Sequence, residues 1–535
     1  MNKKSLSLST SSSSSTTTAV SIFNKKHKGH KTRAPLWLRL LVFALTVPLL
    51  FPFLYLFLRS YDVGLNRAIE LVFRERVWML FSNTMILLVV VTGLSIVIGT
   101  VAAFALERYK IWGAPFFRVA ATLPLCLPAS VTSYTWISLS FKFEGLPGAL
   151  LVMTMASAPL AYLPIAAVLK RMDRSLEEVS LSLGKSNTYT FWHVIFPQLK
   201  PALGSSFLLI ALHMLIEFGA VSILNYNTFT TAIYQEYDMS FDNASAALLS
   251  LVLVVMCLIV VGFELIFRGN DYLAREGKGV ARQMPRRALS PLSHALYLVF
   301  FIVHAIVALG IPIATLIYWL TVGTSFSGNF HLMEFIKSLG LSLGVSGMGA
   351  FVSVLVALPL VWCAIRYRST LTIWIDRLPF LLHAMPGIVI ALAITYFTIH
   401  YATPVYQTFV PMLIAYLMLY LPMAQTTLRS SLNLIPANIE NVGKSLGRSD
   451  FFVFRTLIIP AILPGLTAAF ALVFLNLMKE LTATLVLSPV ELQTLSIAVW
   501  EYTLDMRYAA VAPYACALIV FSGIPVYFLR KYGFK

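Results

Sequence analysis

The sequence is short of charge. Only 12% of its 535 residues are Asp, Glu, Lys or Arg while 58% are hydrophobic, against about 25% and 45–50% in an ordinary soluble domain. That balance excludes a soluble enzyme. Acidic residues are scarcer than basic ones, 23 against 40, and such an excess can mean nucleic acid, an anionic surface or loops held on one side of a bilayer. Cysteine is nearly absent: Cys126, Cys257, Cys363 and Cys516 each stand alone in an apolar run, which excludes a disulfide framework and a zinc site. HExxH, GxSxG and paired aspartates are missing, so an intramembrane enzyme has no nucleophile–base pair or metal cluster to work with. Two short strings, Gly184-Lys185-Ser186 and Gly443-Lys444-Ser445, fail as phosphate loops. The glycine needed five residues earlier is Val179 in one and Asn438 in the other.

What the chain does have is long apolar runs. Residues 1–35 stand apart as a Ser/Thr-rich, basic tail that reads as disordered and cytoplasmic. The run Leu36–Leu58 exceeds a signal-peptide core and lacks a cleavage pattern, so it should remain as the first membrane span. Further stretches long enough to cross about 30 Å of hydrocarbon lie near 79–104, 115–139, 146–169, 203–224, 244–267, 292–320, 338–365, 376–399, 406–427, 465–488 and 507–529. The fold class is therefore an all-α polytopic membrane protein of about twelve helices. With both termini cytoplasmic, about 32 of the 40 Lys and Arg fall inside, which explains the basic charge by topology and removes the support for a nucleic-acid partner. Only the first outer loop, with Arg59, Arg67, Arg74 and Arg76, departs from the trend.

An internal repeat organises these spans. From Glu177 to Leu203 the sequence matches Glu440 to Leu466 at a constant offset of 263, and Tyr162-Leu163-Pro164 recurs as Tyr420-Leu421-Pro422 at 258. The second copy thus carries five extra residues ahead of its matched loop. Two fused six-span units follow, 36–268 and 292–535, joined by a basic cytoplasmic linker at 269–291. An even number of spans per unit makes the repeats parallel and places a pathway between them.

The best-matched segment is a cytoplasmic loop, 171–202 in one copy and 429–464 in the other, although connecting loops ordinarily drift. Each copy predicts a short polar helix ending at a glycine, Gly184 or Gly447, followed by a second short helix that a proline stops. Glu178-Val-Ser-Leu-Ser-Leu-Gly184, then Phe191 and Pro197, resembles the glutamate-alanine-alanine loop of permease subunits in binding-protein-dependent ABC importers. In that family a short coupling helix docks in a groove of the ATPase. The matching stretch is Asn441-Val-Gly-Lys-Ser-Leu-Gly447, followed by Phe454 and Pro460. Asn441 stands where the family has glutamate, with Glu440 one place earlier, as Glu177 precedes Glu178; Ser180 and Gly443 replace alanine. A generic amphipathic surface helix is the bland alternative.

Ionisable residues inside a span are functional candidates because insertion there costs about 2.5–3.5 kcal/mol. Glu217 maps onto Glu480 at the 263 offset, and Lys479 stands beside Glu480. Facing carboxylates could attract a hard cation; the alternative is a salt bridge or gate that touches no substrate. His213 reads as a packed polar residue. Glu217-Phe-Gly-Ala-Val with Asn227–Tyr234, and Lys479-Glu-Leu-Thr-Ala-Thr-Leu with Thr494–Trp500, look like the fused ferric-iron permeases. Related permeases carry thiamine, polyamines or phosphonates. The resemblance implies a type I ABC importer in a bacterial inner membrane: two ATPase subunits that use ATP, a periplasmic binding protein docking on Thr228–Asp242 and Ser488–Asp505, and no cofactor in this chain. Asp238, Asp242, Glu491, Glu501 and Asp505 make those outer segments acidic. A secondary transporter driven through Glu217 and Glu480 is the rival, and it has no need of the paired loop.

Overall fold

The structure, a computed structural model, describes residues 35–172, 175–267, 286–322, 331–367, 370–383, 385–436, 438–490 and 492–532. Residues 1–34, most of the expected linker and Glu491 lie outside the described residues. The first half forms α1 (Leu36–Val63), α2 (Leu65–Val72), α3 (Glu75–Arg108), α4 (Ala114–Cys126), α5 (Ala129–Leu139), α6 (Leu146–Arg171), α7 (Ser175–Ser182), α8 (Asn187–Ile216), α9 (Gly219–Ile223), α10 (Phe229–Asp238) and α11 (Asn243–Phe267). The second forms α12 (Pro291–Thr321), α13 (Leu332–Arg366), α14 (Thr370–His383), α15 (Gly387–Tyr401), α16 (Phe409–Leu432), α17 (Asn438–Ser445), α18 (Phe451–Met478), α19 (Thr482–Leu487), α20 (Leu495–Leu504) and α21 (Tyr508–Tyr532). Among the described residues the one β-pairing is an isolated bridge between Tyr109 and Arg287.

Nine of the described helices are long and apolar enough to cross a membrane, or eleven if each bent pair is one crossing. The expected twelve stretches are helical, but four are not continuous. Stretch 115–139 bends by 95° between α4 and α5, and 376–399 by 104° between α14 and α15. Pro128 and Pro386 stand at these bends as the residues before α5 and α15, where a missing N–H and a fixed φ suit a helix start but not an interior. Stretches 203–224 and 465–488 break at Glu217 and at Lys479–Leu481. In α21 the described apolar part, Tyr508–Gly523, is shorter than a span.

Close helix contact in the first half runs through small residues, as expected where lipid gives no hydrophobic drive for association. A Cβ added at Gly99 of α3 would lie 2.6 Å from the Ala161 methyl and 2.7 Å from the Tyr162 nitrogen of α6. The halves are interlocked rather than set side by side. The first span of the first half, α1, packs on the second: Phe51 meets Phe397 at 4.7 Å, and the Arg59 guanidinium lies 4.5 Å from the Tyr396 ring centre. Conversely α12 packs on the first, with Phe301 stacked on Phe117 at 5.1 Å and the Trp319 indole N–H donating to Ser138 Oγ at 3.1 Å. Each unit of the repeat therefore completes the other.

Candidate functional site

The two repeated loops are built on the ends of α3 and α13. Phe104 and Arg108 of α3 correspond to Trp362 and Arg366 of α13 at the 258 offset. Phe191 meets Phe104 edge to face at 5.5 Å, and Phe454 meets Trp362 the same way at 5.3 Å. One helical turn further, Arg108 Nη2 lies 2.7 Å from Glu177 Oε1, with both side chains almost wholly buried at 5% and 6% exposure. A carboxylate this dry needs its cation, because removing the partner of a buried charge is strongly destabilising. Glu178, the next residue, is exposed. The acid common to both copies, Glu177 and Glu440, is thus the one that the first half uses as an anchor, and Asn441 matches an exposed position. The side chains of Glu440 and Asn441 lie outside the described residues; their backbone is part of α17.

Gly184 and Gly447 end α7 and α17 with φ of +74° and +72°, a left-handed conformation that side chains with a Cβ adopt at a cost. Ser186 and Ser449 then open the next helix, accepting hydrogen bonds from the backbone N–H of Tyr189 and Phe452. The expected second short helix is corrected here. Pro197 and Pro460 do not stop it; each lies in the first turn of a span helix that continues directly through a π turn, Phe191–Ile195 in one copy and Phe454–Ile458 in the other. The wider turn accommodates a proline that cannot donate, so each loop is rigidly continuous with a span. Three of the five extra residues of the second copy lengthen α16 beyond Arg429, the counterpart of Arg171 where α6 ends, and Ser431 among them packs against Gly465, the counterpart of Ala202.

Sequence reasoning missed Arg108. Extending the 258 offset upstream would have shown Arg108-Tyr109 recurring as Arg366-Tyr367. It also missed a clasp at this end of the molecule. Arg287 N–H donates to the Arg108 carbonyl at 3.0 Å and Lys110 N–H to the Arg287 carbonyl at 2.9 Å. The buried Glu107 carboxylate is flanked by Arg118 at 3.2 Å, Lys170 at 3.7 Å and Arg286 at 3.4 Å.

Glu217 and Glu480 occupy equivalent breaks with equivalent geometry. Glu217 Oε1 accepts from Ala220 N–H and Glu480 Oε1 from Ala483 N–H, each at 2.9 Å, so each carboxylate caps the short helix after its own break. The two carbonyls accept from Thr230 Oγ1 at 2.7 Å and Ser496 Oγ at 3.0 Å. The remaining oxygens differ: Glu480 Oε2 accepts from the Tyr420 hydroxyl at 2.8 Å, while Glu217 Oε2 lies 3.8 Å from His213 Nε2. Lys479 reaches across the halves and donates to the Leu125 carbonyl at 2.8 Å. Among the described residues no group of three His, Cys, Asp or Glu could hold a metal ion.

The outer segments expected to be docking loops are largely packed helices. Thr228 and Thr494 cap α10 and α20, and Phe229–Ile233 and Leu495–Trp500 are buried. Thr-Phe-Thr-Thr was the legible signal, a capping box. Of the acids there, Glu236 pairs with Arg76 at 2.5 Å, Glu501 accepts from Gln493, and Asp242 caps α11. Asp238 and Asp505 remain exposed.

Interlocked halves, repeated loops fixed to the spans at one end, and a polar break in each half define a membrane transport component. The family described as the binding-protein-dependent transport system inner membrane component matches residues 30–268 and 361–532, and the chain belongs to it. It is 60% identical over 503 residues to the Fe(3+)-transport system permease protein FbpB 2 of Haemophilus influenzae, covering 94% of this chain and 99% of that one. It is also similar to the ferric transport system permease protein FbpB of Actinobacillus pleuropneumoniae, at 23% over 427 residues, 75% of this chain and 61% of that one. A probable sulfate transport system permease protein cysT of Chlorella vulgaris is 32% identical over 193 residues, 32% of this chain and 73% of that one.

Proposed function

We propose that this chain is the permease of an ATP-driven importer of ferric iron. The observation that carries the cargo is the 60% identity to a Fe(3+)-transport permease over nearly the whole of both chains. The cargo rests on that identity and not on a coordination site, since among the described residues no group of three His, Cys, Asp or Glu could hold a metal ion. The two loop copies supply docking places for two ATPase subunits that bind and hydrolyse ATP, with Glu178, Leu183 and Leu446 exposed for contact. Movement of a docked subunit would pass directly into α8 and α18, because the π turns join loop to span without a hinge. Both termini would face the cytoplasm and the binding protein would dock at the opposite end, around Asp238 and Asp505.

Uptake into vesicles holding this chain with its ATPase and loaded binding protein tests the reading, comparing ferric iron with thiamine, a polyamine, a phosphonate and sulfate. Iron uptake that needs both ATP and the binding protein is expected. Uptake of another solute under the same requirements would discard the iron assignment, and uptake unaffected by ATP depletion would discard the ATP-driven one.

A further inference from the structure

The two breaks differ in charge at the residue before the glutamate. Ile216 precedes Glu217 in the first half, and Lys479 precedes Glu480 in the second. The lysine's partner, Leu125, lies in the last turn of the first arm of the bent pair α4/α5. Pro128 has no N–H to offer and the chain bends by 95°, so the Leu125 carbonyl faces a donor from the other half instead of one from its own helix. Glu217 lies within electrostatic reach of the same ammonium. Leu481, two residues on, packs against the first half as well, 3.0 Å from where a Cβ on Gly219 would be. A positive charge thus holds a carbonyl of the opposite half, at the interface where a pathway is expected.

We propose that the Lys479 ammonium is a tethered cation that stoppers the pathway, occupying the place at the Leu125 carbonyl that a migrating cation would take, and leaving it only when the halves part. A hard cation is drawn to the oxygen donor that lysine vacates, and between cycles the lysine excludes small cations by occupancy and by like charge. The cargo part of this inference rests on the iron reading; the stopper itself does not.

The test uses the complete transporter in liposomes loaded with calcein, with added Co²⁺ as the quenching probe and no ATP. Loss of one charge-assisted hydrogen bond shifts the closed state by roughly tenfold or more, so Lys479→Met should raise Co²⁺ entry and binding-protein-independent ATP hydrolysis by about that factor. Lys479→Arg, which keeps the charge, should restore both. Wild-type leak and wild-type basal hydrolysis in Lys479→Met would overturn the proposal. If that variant fails to assemble, Lys479→Cys in a chain whose only other cysteine is Cys126 provides a second readout. Cross-linking by a short bifunctional thiol reagent should be strong at rest and fall sharply when the ATPases are trapped with ATP and vanadate. Equal cross-linking in both states would overturn the proposal. Both readouts are independent of what is carried, so an importer of another solute would still show them.

Discussion

The two halves of this permease share a backbone plan and disagree in chemistry at equivalent places. At the loop, Ser180 Oγ and Thr190 Oγ1 of the first half are hydrogen-bonded at 2.9 Å; the same positions in the second are Gly443 and Val453, and a Cβ on Gly443 would lie 2.4 Å from a Val453 methyl. At the bent pairs, Arg118 of α4 pairs with Glu107 of α3, whereas its counterpart Asp376 pairs with Arg429 of α16. The sign is reversed, and the brace moves from α3 to the counterpart of α6. What the repeat preserves is the geometry that fixes the loop to the spans, namely an aromatic pair, an arginine one turn on, a left-handed glycine, a serine cap and a π turn. Each half has found its own side chains to fill the space between, because close packing rewards a complementary pair rather than a particular residue.

The largest expected effect falls on the buried anchor of the first half. Arg108→Ala takes the cation away from the buried Glu177 carboxylate, at about 3–5 kcal/mol, and should release the first loop, as should Glu177→Ala. Retention of the ATPase on the purified permease measures this, and the double variant should lose less than the sum of the two. A second-half variant that retained one ATPase fewer through a residue other than the Arg366 region would break the equivalence of the anchors.

Exchanging the halves' solutions at the loop comes next. Gly443→Ser should destabilise by about 1–3 kcal/mol through overpacking, and adding Val453→Thr should recover most of it by installing the first half's hydrogen bond. Thermal unfolding in detergent gives the answer, and failure of the second change to rescue the first would show that the backbones differ more than their offsets imply.

Gly184→Val and Gly447→Val each force a Cβ into the left-handed region, a strain of about 1–2 kcal/mol. Both should lower uptake per ATP hydrolysed while the protein still inserts, and to a similar degree. Normal coupling in either variant would remove that loop from the transmission path.

The smallest effect is at the outer end. Asp242 caps α11, accepting from Ser245 N–H at 3.0 Å and Ala244 N–H at 3.1 Å, and the Ser245 N–H bond above all holds its carboxyl below the ordinary value. Its stabilisation is therefore present above the usual aspartate pKa and is lost as pH falls through the depressed one. Asp242→Ala should cost about 1 kcal/mol and flatten the acid limb of a stability–pH curve. The corresponding start of α21, Arg507-Tyr508, has no such carboxylate, so no matching acid-sensitive cap is expected there.

Much of the site was legible from local pattern. The 263 offset located both loops, and a glycine after a polar helix was enough to expect the positive φ observed at Gly184 and Gly447. Glu217 and Glu480 stood out as charges within apolar runs. Their partners did not, because Tyr420 reaches Glu480 across 60 residues and nothing in either segment names the other. The prolines misled in the loops, where a helix was expected to stop at Pro197 and instead widened into a π turn.

Sequence alone determined that the chain lives in a membrane, that it is a repeat, and that the repeat's most similar part is a basic-end loop, since hydropathy, periodicity and identity at an offset are properties of the chain itself. Tertiary structure alone decided which apolar runs bend, that α1 and α12 are exchanged between halves, and that Lys479 meets a carbonyl 354 residues away. The physical reason is the same in each case. In lipid every backbone donor and acceptor must find a partner inside the protein, and whether a run continues as helix or breaks depends on which groups its neighbours supply.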